Sequence, residues 1–150
     1  MNKYLIIIFV SLLFVCCNNN SDGPGEKQDT AAVAYSWEAS VNDSGRLVIY
    51  KIEQGGPDTL SVEAVTSFLN KKYSNVQLQF GRISGDTIYM SIPEATYLTQ
   101  QMGSTGPLVY FADAVYNLTE MPGIRYVSFD FEEGDHASPS TLNRESFKEE

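Results

Sequence analysis

Cysteine, histidine and positive charge are all scarce in this chain of 150 residues. The two cysteines are adjacent, Cys16 and Cys17, so everything after them lacks a thiol. That excludes a disulfide framework and cysteine-based chemistry from the remainder. His136 is the single histidine, whereas zinc sites draw on several His or Cys ligands, and the alternating Asp and Asn of a calcium loop is missing as well. Neither a metal nor a cofactor is expected, and Glu132, Glu133 and Asp135 beside His136 read as a solvated acidic turn. No serine stands in a G-x-S-x-G turn, so a nucleophile elbow is not indicated. Lys and Arg number 10 against 19 Asp and Glu, for a formal charge of −9. Phosphate is neutralised by cations, so nucleic acid is excluded as a partner, as is electrostatic attraction to an anionic membrane face. A long hydrophobic run is also lacking. The longest, Tyr4 to Val15, is interrupted only by Ser11, and as a helix its twelve residues would rise about 18 Å against a hydrocarbon core of roughly 30 Å.

What is present at the N-terminus fits export. Lys3 precedes the apolar run, and the run ends at the cysteine pair, the order of a signal sequence with a charged start and a short hydrophobic centre. An A-x-A-like cleavage site is absent. The segment resembles a bacterial lipoprotein signal, in which a leucine or similar residue stands three before a cysteine that receives diacylglycerol. Leu13 fits if Cys16 is acylated, with the large Val15 before the cut; Phe14 and the small Cys16 fit if it is Cys17. The resemblance implies a protein held to a membrane of the cell envelope by its N-terminal lipid. Residues 1–16 are then the signal, and residues 17–32, rich in Asn, Ser, Gly and Asp, form a tether with too little apolar surface to fold. Residues 33–150 make one domain, large enough to hold a core without staples.

Along that domain the hydrophobic period changes repeatedly. Residues 34–41 alternate, with Tyr35, Trp37, Ala39 and Val41 on one side, and Asn42-Asp43-Ser44-Gly45 turns the chain. Residues 46–52 are nearly all apolar and read as a strand central in its sheet. Val62, Val65, Phe68 and Leu69 recur at helical steps within residues 59–73, with Lys71 and Lys72 in the last turn, where the dipole favours cations. Val76, Leu78 and Phe80 alternate, Ser84-Gly85-Asp86 turns, and Ile88, Met90 and Ile92 alternate again, which is a hairpin. Ser91 and Glu94 have capping-box spacing for a short helix over residues 93–102. A longer helix follows Ser104-Thr105-Gly106, capped by Ser104 or Thr105, with Leu108, Phe111, Ala112, Val115 and Leu118 as its buried stripe and Pro122-Gly123 as its stop. On this phase Asp113 faces solvent. Val127, Phe129 and Phe131 alternate as a last strand. The order predicts an α+β fold, an antiparallel sheet with two main helices on one face in the split β-α-β order, plus an extra N-terminal strand.

From about Leu47 to Phe131 the chain resembles the GerMN domain, a sporulation and spore-germination module also found in envelope lipoproteins. The residues that carry the likeness are the Val76 to Ile92 hairpin with its Gly85-Asp86 turn, Gly103-Ser104-Thr105-Gly106 opening the long helix, and the run from Ala114 through Leu118-Thr119-Glu120 and Pro122-Gly123 to Ile124. The family closes its helix with a TLTE-like turn, and Asn117 stands here in place of the first Thr. Glu132 to Glu150 extends past the family's pattern. The resemblance implies a small non-catalytic module for binding or assembly in the envelope.

Strand phase supplies candidate partner-binding residues. If Ile88, Met90 and Ile92 face the helices, Tyr89 faces away, and Val127 and Phe129 turn Tyr126 the same way. In the split β-α-β order Tyr50 joins them. Tyrosines so placed can anchor an envelope protein or stack on a glycan, unless the N-terminal strand with Tyr35 and Trp37 covers them as a second small core. The alternative reading is a hydrolase of envelope glycan or peptide using acids such as Glu94 and Glu120. Asp-Thr-apolar triplets at Thr30, Thr59 and Thr87 resemble O-glycosylation sites, Thr30 in the tether being the best placed.

Overall fold

The computed structural model describes residues 35–148; Cys16, Cys17, Thr30 and the whole signal and tether lie outside the described residues. The fold is α+β, with helices interleaved between a two-stranded and a four-stranded sheet. Strands β1 (Ser36–Val41) and β2 (Leu47–Ile52) pair antiparallel. Asn42 makes their turn, its side-chain oxygen accepting from the amides of Ser44 and Arg46, both at 3.0 Å. Helix α1 (Val62–Lys72) starts at Ser61, whose hydroxyl accepts from the Ala64 amide at 3.2 Å. Within α1, Asn70 reaches across to the chain entering the sheet and both accepts from and donates to the backbone of Leu78.

Strands β3 (Gln79–Ser84) and β4 (Thr87–Ile92) form the expected hairpin. Gly85 turns it at φ 61°, a left-handed conformation that glycine reaches at little cost. Helix α2 (Gly106–Leu118) then crosses back to β5 (Tyr126–Phe131), which lies parallel to β4. The Asp86 carbonyl accepts the amides of Arg125 and Tyr126, and its carboxylate pairs with the Arg125 guanidinium at 2.7 Å, so the β3–β4 turn fixes the start of β5. A short β6 (Ser140–Leu142) completes the order β3-β4-β5-β6. Val65 and Leu69 of α1, Phe111, Ala114, Val115 and Leu118 of α2, and the inward residues of β4 and β5 close the core on one face of this sheet.

Several sequence expectations change here. The main sheet is mixed, because β4 and β5 are parallel. Strand β2 is not central and does not stand beside β4; among the described residues it pairs with β1 alone, since an apolar run reports burial on its faces and does not name its neighbour. The helix expected over residues 93–102 contracts to a single π-helical turn, Tyr97–Gln101, and the Glu94 carboxylate folds back onto the Thr96 amide. Thr105 holds the N-cap place of α2 with no side-chain cap bond, and Pro107 in the first turn needs no amide partner. Leu108, assigned to the buried stripe, is 42% exposed. The segment beyond residue 131 belongs to the domain: it supplies β6 and a 3-10 turn, Arg144–Phe147, that packs on α2.

The largest difference is at Asp113. Helix α2 is buried on both sides, with the sheet on one and the β1–β2 hairpin on the other, and Asp113 is 0% exposed. Its carboxylate accepts from the Ala39 amide and the Tyr73 hydroxyl and pairs with Lys72 at 2.6 Å. One helical turn on, Asn117 accepts from the Trp37 amide at 3.0 Å and donates to the Trp37 carbonyl at 2.9 Å. Just past the helix, Glu120 accepts from the Trp37 indole at 2.8 Å, the Tyr35 hydroxyl and Arg144. This polar row takes the place of a neighbouring strand along β1. The Ala39 amide and the Trp37 amide and carbonyl are thereby satisfied by side chains of a helix.

Candidate functional site

The placement of the hairpin decides what the sheet exposes. Because β1 and β2 pack on α2, they do not cover the face of the β3–β6 sheet turned away from the helices. On that face Thr87, Tyr89 and Ser91 of β4 stand opposite Tyr126, Ser128 and Asp130 of β5. None of the six is buried, whereas their inward neighbours Ile88, Met90, Ile92, Val127, Phe129 and Phe131 all are. Period two in both strands, in parallel register, therefore brings Tyr89 and Tyr126 to one surface. The second-core alternative does not occur, because Trp37 packs edge-on against Tyr116 of α2 at 5.3 Å, and Tyr35 turns to Glu120.

Tyr50 is not part of this surface. It lies in β2, opposite Glu38 of β1, and is 45% exposed on the hairpin. The expected grouping with Tyr89 required β2 to neighbour β4, which it does not.

A residue that strand phase alone places wrongly joins the face instead. Phe80 pairs with Met90 and Arg82 with Tyr89, so Gly81 is an extra residue, a bulge, in β3. Two residues after the inward Phe80, Arg82 would point inward without it; the bulge turns it out. A Cβ at Gly81 would come within 3.1 Å of the Tyr89 carbonyl oxygen, so the close approach favours glycine. The Arg82 guanidinium lies over the Tyr89 ring, 3.8 Å from its centre, and Arg125 stands 5.6 Å from that of Tyr126. Arg82 makes no ion pair among the described residues, while Arg125 is held by Asp86. That pairing, chiefly the guanidinium hydrogen bond, keeps the Asp86 carboxyl below the usual carboxylate range. The signal for Arg82 was a lone glycine inside a strand pattern.

Each acidic candidate is engaged by neighbours of its own. Glu94 is exposed, and its carboxylate is taken by Thr96. Glu120 is engaged by three donors: burial raises its carboxyl, and the hydrogen bonds from Arg144, Tyr35 and Trp37 outweigh that and hold it below its ordinary value. At Asp113 burial dominates and raises the carboxyl, against Lys72, Tyr73 and the Ala39 amide; the same burial, followed by the bond to Asp113, pushes the Tyr73 phenol up. A shallow groove of about 440 Å³ beside Tyr126 includes Arg125 and Arg144, but both cations are already paired. His136 is exposed, with its backbone amide donating to the Thr99 carbonyl at 2.9 Å. Among the described residues no group of three or more His, Cys, Asp or Glu is arranged to hold a metal ion, and no helix is long and apolar enough to cross a membrane.

No protein-family model matches the chain, and neither a curated protein nor a solved structure matches it.

Proposed function

We propose that this is a lipid-anchored cell-envelope protein whose GerMN-like domain works without catalysis, by docking an envelope partner on the open face of its four-stranded sheet. One observation carries the reading: on a chain of charge −9, that face gathers Tyr89, Tyr126 and Arg82 on paired strands, and among the described residues Arg82 has no ion pair and no further layer covers the face. Tyrosine and arginine are among the residue types enriched in protein-binding hot spots: tyrosine brings large area with few rotamers to freeze and a polar end, and arginine a planar guanidinium with several donors. Of an envelope protein and a glycan, the geometry favours the protein. A sugar would stack on the free face of a ring, and Arg82 already occupies one face of Tyr89. The free charge of Arg82 suits an acidic group at the centre of the partner's surface. The hydrolase alternative would rest on Glu94 and Glu120, and the engagement of Glu120 with three donors leaves that reading without a supporting pair.

The test is pull-down from envelope extract with residues 33–150, parent against the double variant Tyr89→Ala, Tyr126→Ala. The expected outcome is loss of a specifically retained protein with a melting temperature within a few degrees of the parent. Retention of the same protein by both forms removes the face from consideration.

A further inference from the structure

The strand edges of the domain are not protected alike. Asp113 and Asn117 close the outer edge of β1 at Ala39 and Trp37. The Gly81 bulge breaks that of β3, and β6 is three residues long. Strand β2 has none of these devices. It runs for six residues, Leu-Val-Ile-Tyr-Lys-Ile, in unbroken register with β1 and free of proline and glycine, and among the described residues nothing pairs with its other edge. An unpaired edge of this length, with Lys51 as its single charge, is a template for another strand.

Which atoms the edge offers follows from the ladder. Asn42 donates to the Arg46 carbonyl at 2.9 Å, and the amides of Trp37 and Ala39 point to α2, so the bonds between the strands use the even-numbered residues. Antiparallel pairs alternate between bonded and non-bonded. The N–H and C=O groups of Leu47, Ile49 and Lys51 therefore face outward from the free edge. On the strand's surface Val48 and Tyr50 are 37% and 45% exposed and share one face.

We propose that a second copy of this chain occupies that edge, β2 against β2, antiparallel, about a two-fold axis through Ile49. A two-fold perpendicular to a sheet keeps each face on its own side, so it must pass through a residue pair rather than between residues, and the outward groups of Ile49 make that pair a bonded one. Leu47 then bonds Lys51 of the second copy, and Lys51 its Leu47, for about six backbone hydrogen bonds in all. Val48 falls opposite Tyr50 of the second copy, twice, at a non-bonded position where side chains approach most closely. The two exposed apolar residues of the strand thus cover each other. The only charge between Leu47 and Ile52 is Lys51, which meets a leucine, so no like charges oppose across the seam of a strongly acidic chain. The pairing also turns a two-stranded ribbon, marginal alone, into a four-stranded sheet. It leaves the Tyr89 and Tyr126 faces of both copies open.

The test uses the full chain in membranes. Val48→Cys with Tyr50→Cys places cysteines about 4.5 Å apart in Cα across the seam, within disulfide reach. Mild oxidation should give a reducible species of twice the chain mass, well above the parent, whose Cys16 and Cys17 set the background. Phe80→Cys with Ile83→Cys on the bulged β3 edge should stay at that background. Lys51→Pro in the Val48→Cys, Tyr50→Cys chain deletes an outward amide and no bond to β1, and it should reduce the dimer at least tenfold. As a second measure, sedimentation of the detergent-solubilised parent should show a dimer, and Val48→Glu with Tyr50→Glu, which sets like charges directly opposite each other across the seam, a monomer. The proposal is overturned by no dimer above background, by equal cross-linking at β3, by an undiminished dimer in the proline variant, or by a cross-linked product whose mass is not twice the chain.

Discussion

Replacing Asp113 by Ala should be among the most damaging single changes in the domain, although helical phase alone places that residue on the solvent side. Three donors lose their acceptor. The Ala39 amide is buried, and leaving such a donor unpaired costs about 1 to 3 kcal/mol. The half-buried Tyr73 hydroxyl contributes about 1 kcal/mol more. Lys72 contributes little, at most about 1 kcal/mol, because its side chain is 27% exposed, can return to water and keeps Glu38 at 3.2 Å. The sum is about 2 to 5 kcal/mol, or a fall of roughly 8 to 20 °C in Tm for a domain of this size. Asp113→Asn keeps one acceptor and should cost about half as much. Urea unfolding would be followed both by circular dichroism and by the fluorescence of Trp37, which is the only tryptophan and sits on the hairpin strand that Asp113 and Asn117 hold. Weakening that hold should make the fluorescence transition precede the helical one. Coincident transitions with a change below about 0.5 kcal/mol would refute the reasoning and return Asp113 to the surface.

Phe111 touches Tyr110, Phe129 and Phe131, so Phe111→Ala should cost about 3 to 5 kcal/mol, whereas Leu108→Ala should be near neutral; equal thermal melts for the two would show that the phase of α2 is wrong. The Glu120 carboxyl is depressed in the folded state, so its stabilisation is complete above the ordinary glutamate value of 4.5 and is lost as pH falls through the folded value. Glu120→Gln should therefore lose stability at neutral pH, and its denaturation midpoint should converge on that of the parent in acid; a constant difference down to pH 3 contradicts this. If a lipid on one of the two cysteines is the anchor, Cys16→Ser with Cys17→Ser should release the protein from salt-washed membranes, and each single change should then identify the acylated residue; a double variant that still pellets removes that anchor.

Much of the local structure was written in the order of residues. Alternation over β4 and β5 set which side chains point inward, the lysine pair marked the end of α1, and Asn42 and Gly85 made turns that few other residues make as easily. These are short-range effects, decided by dihedral preferences and by which face of a single element is apolar. Tyr89 and Tyr126 were assigned to one face for that reason, and they share it. What neighbours what was a separate matter. Period two describes a strand equally well at a sheet's centre or at the edge of a hairpin, so β2, with Tyr50, was assigned to the wrong sheet. A helical stripe marks one buried side but is silent on a second, so the layer of hairpin over α2 and the burial of Asp113 emerged only from packing. The Gly81 bulge shifted one residue and with it the direction of Arg82. Sequence periodicity sets the orientation of a side chain relative to its own element; tertiary structure decides what stands opposite it, because contacts between elements distant in the chain are chosen by the combined burial of all of them.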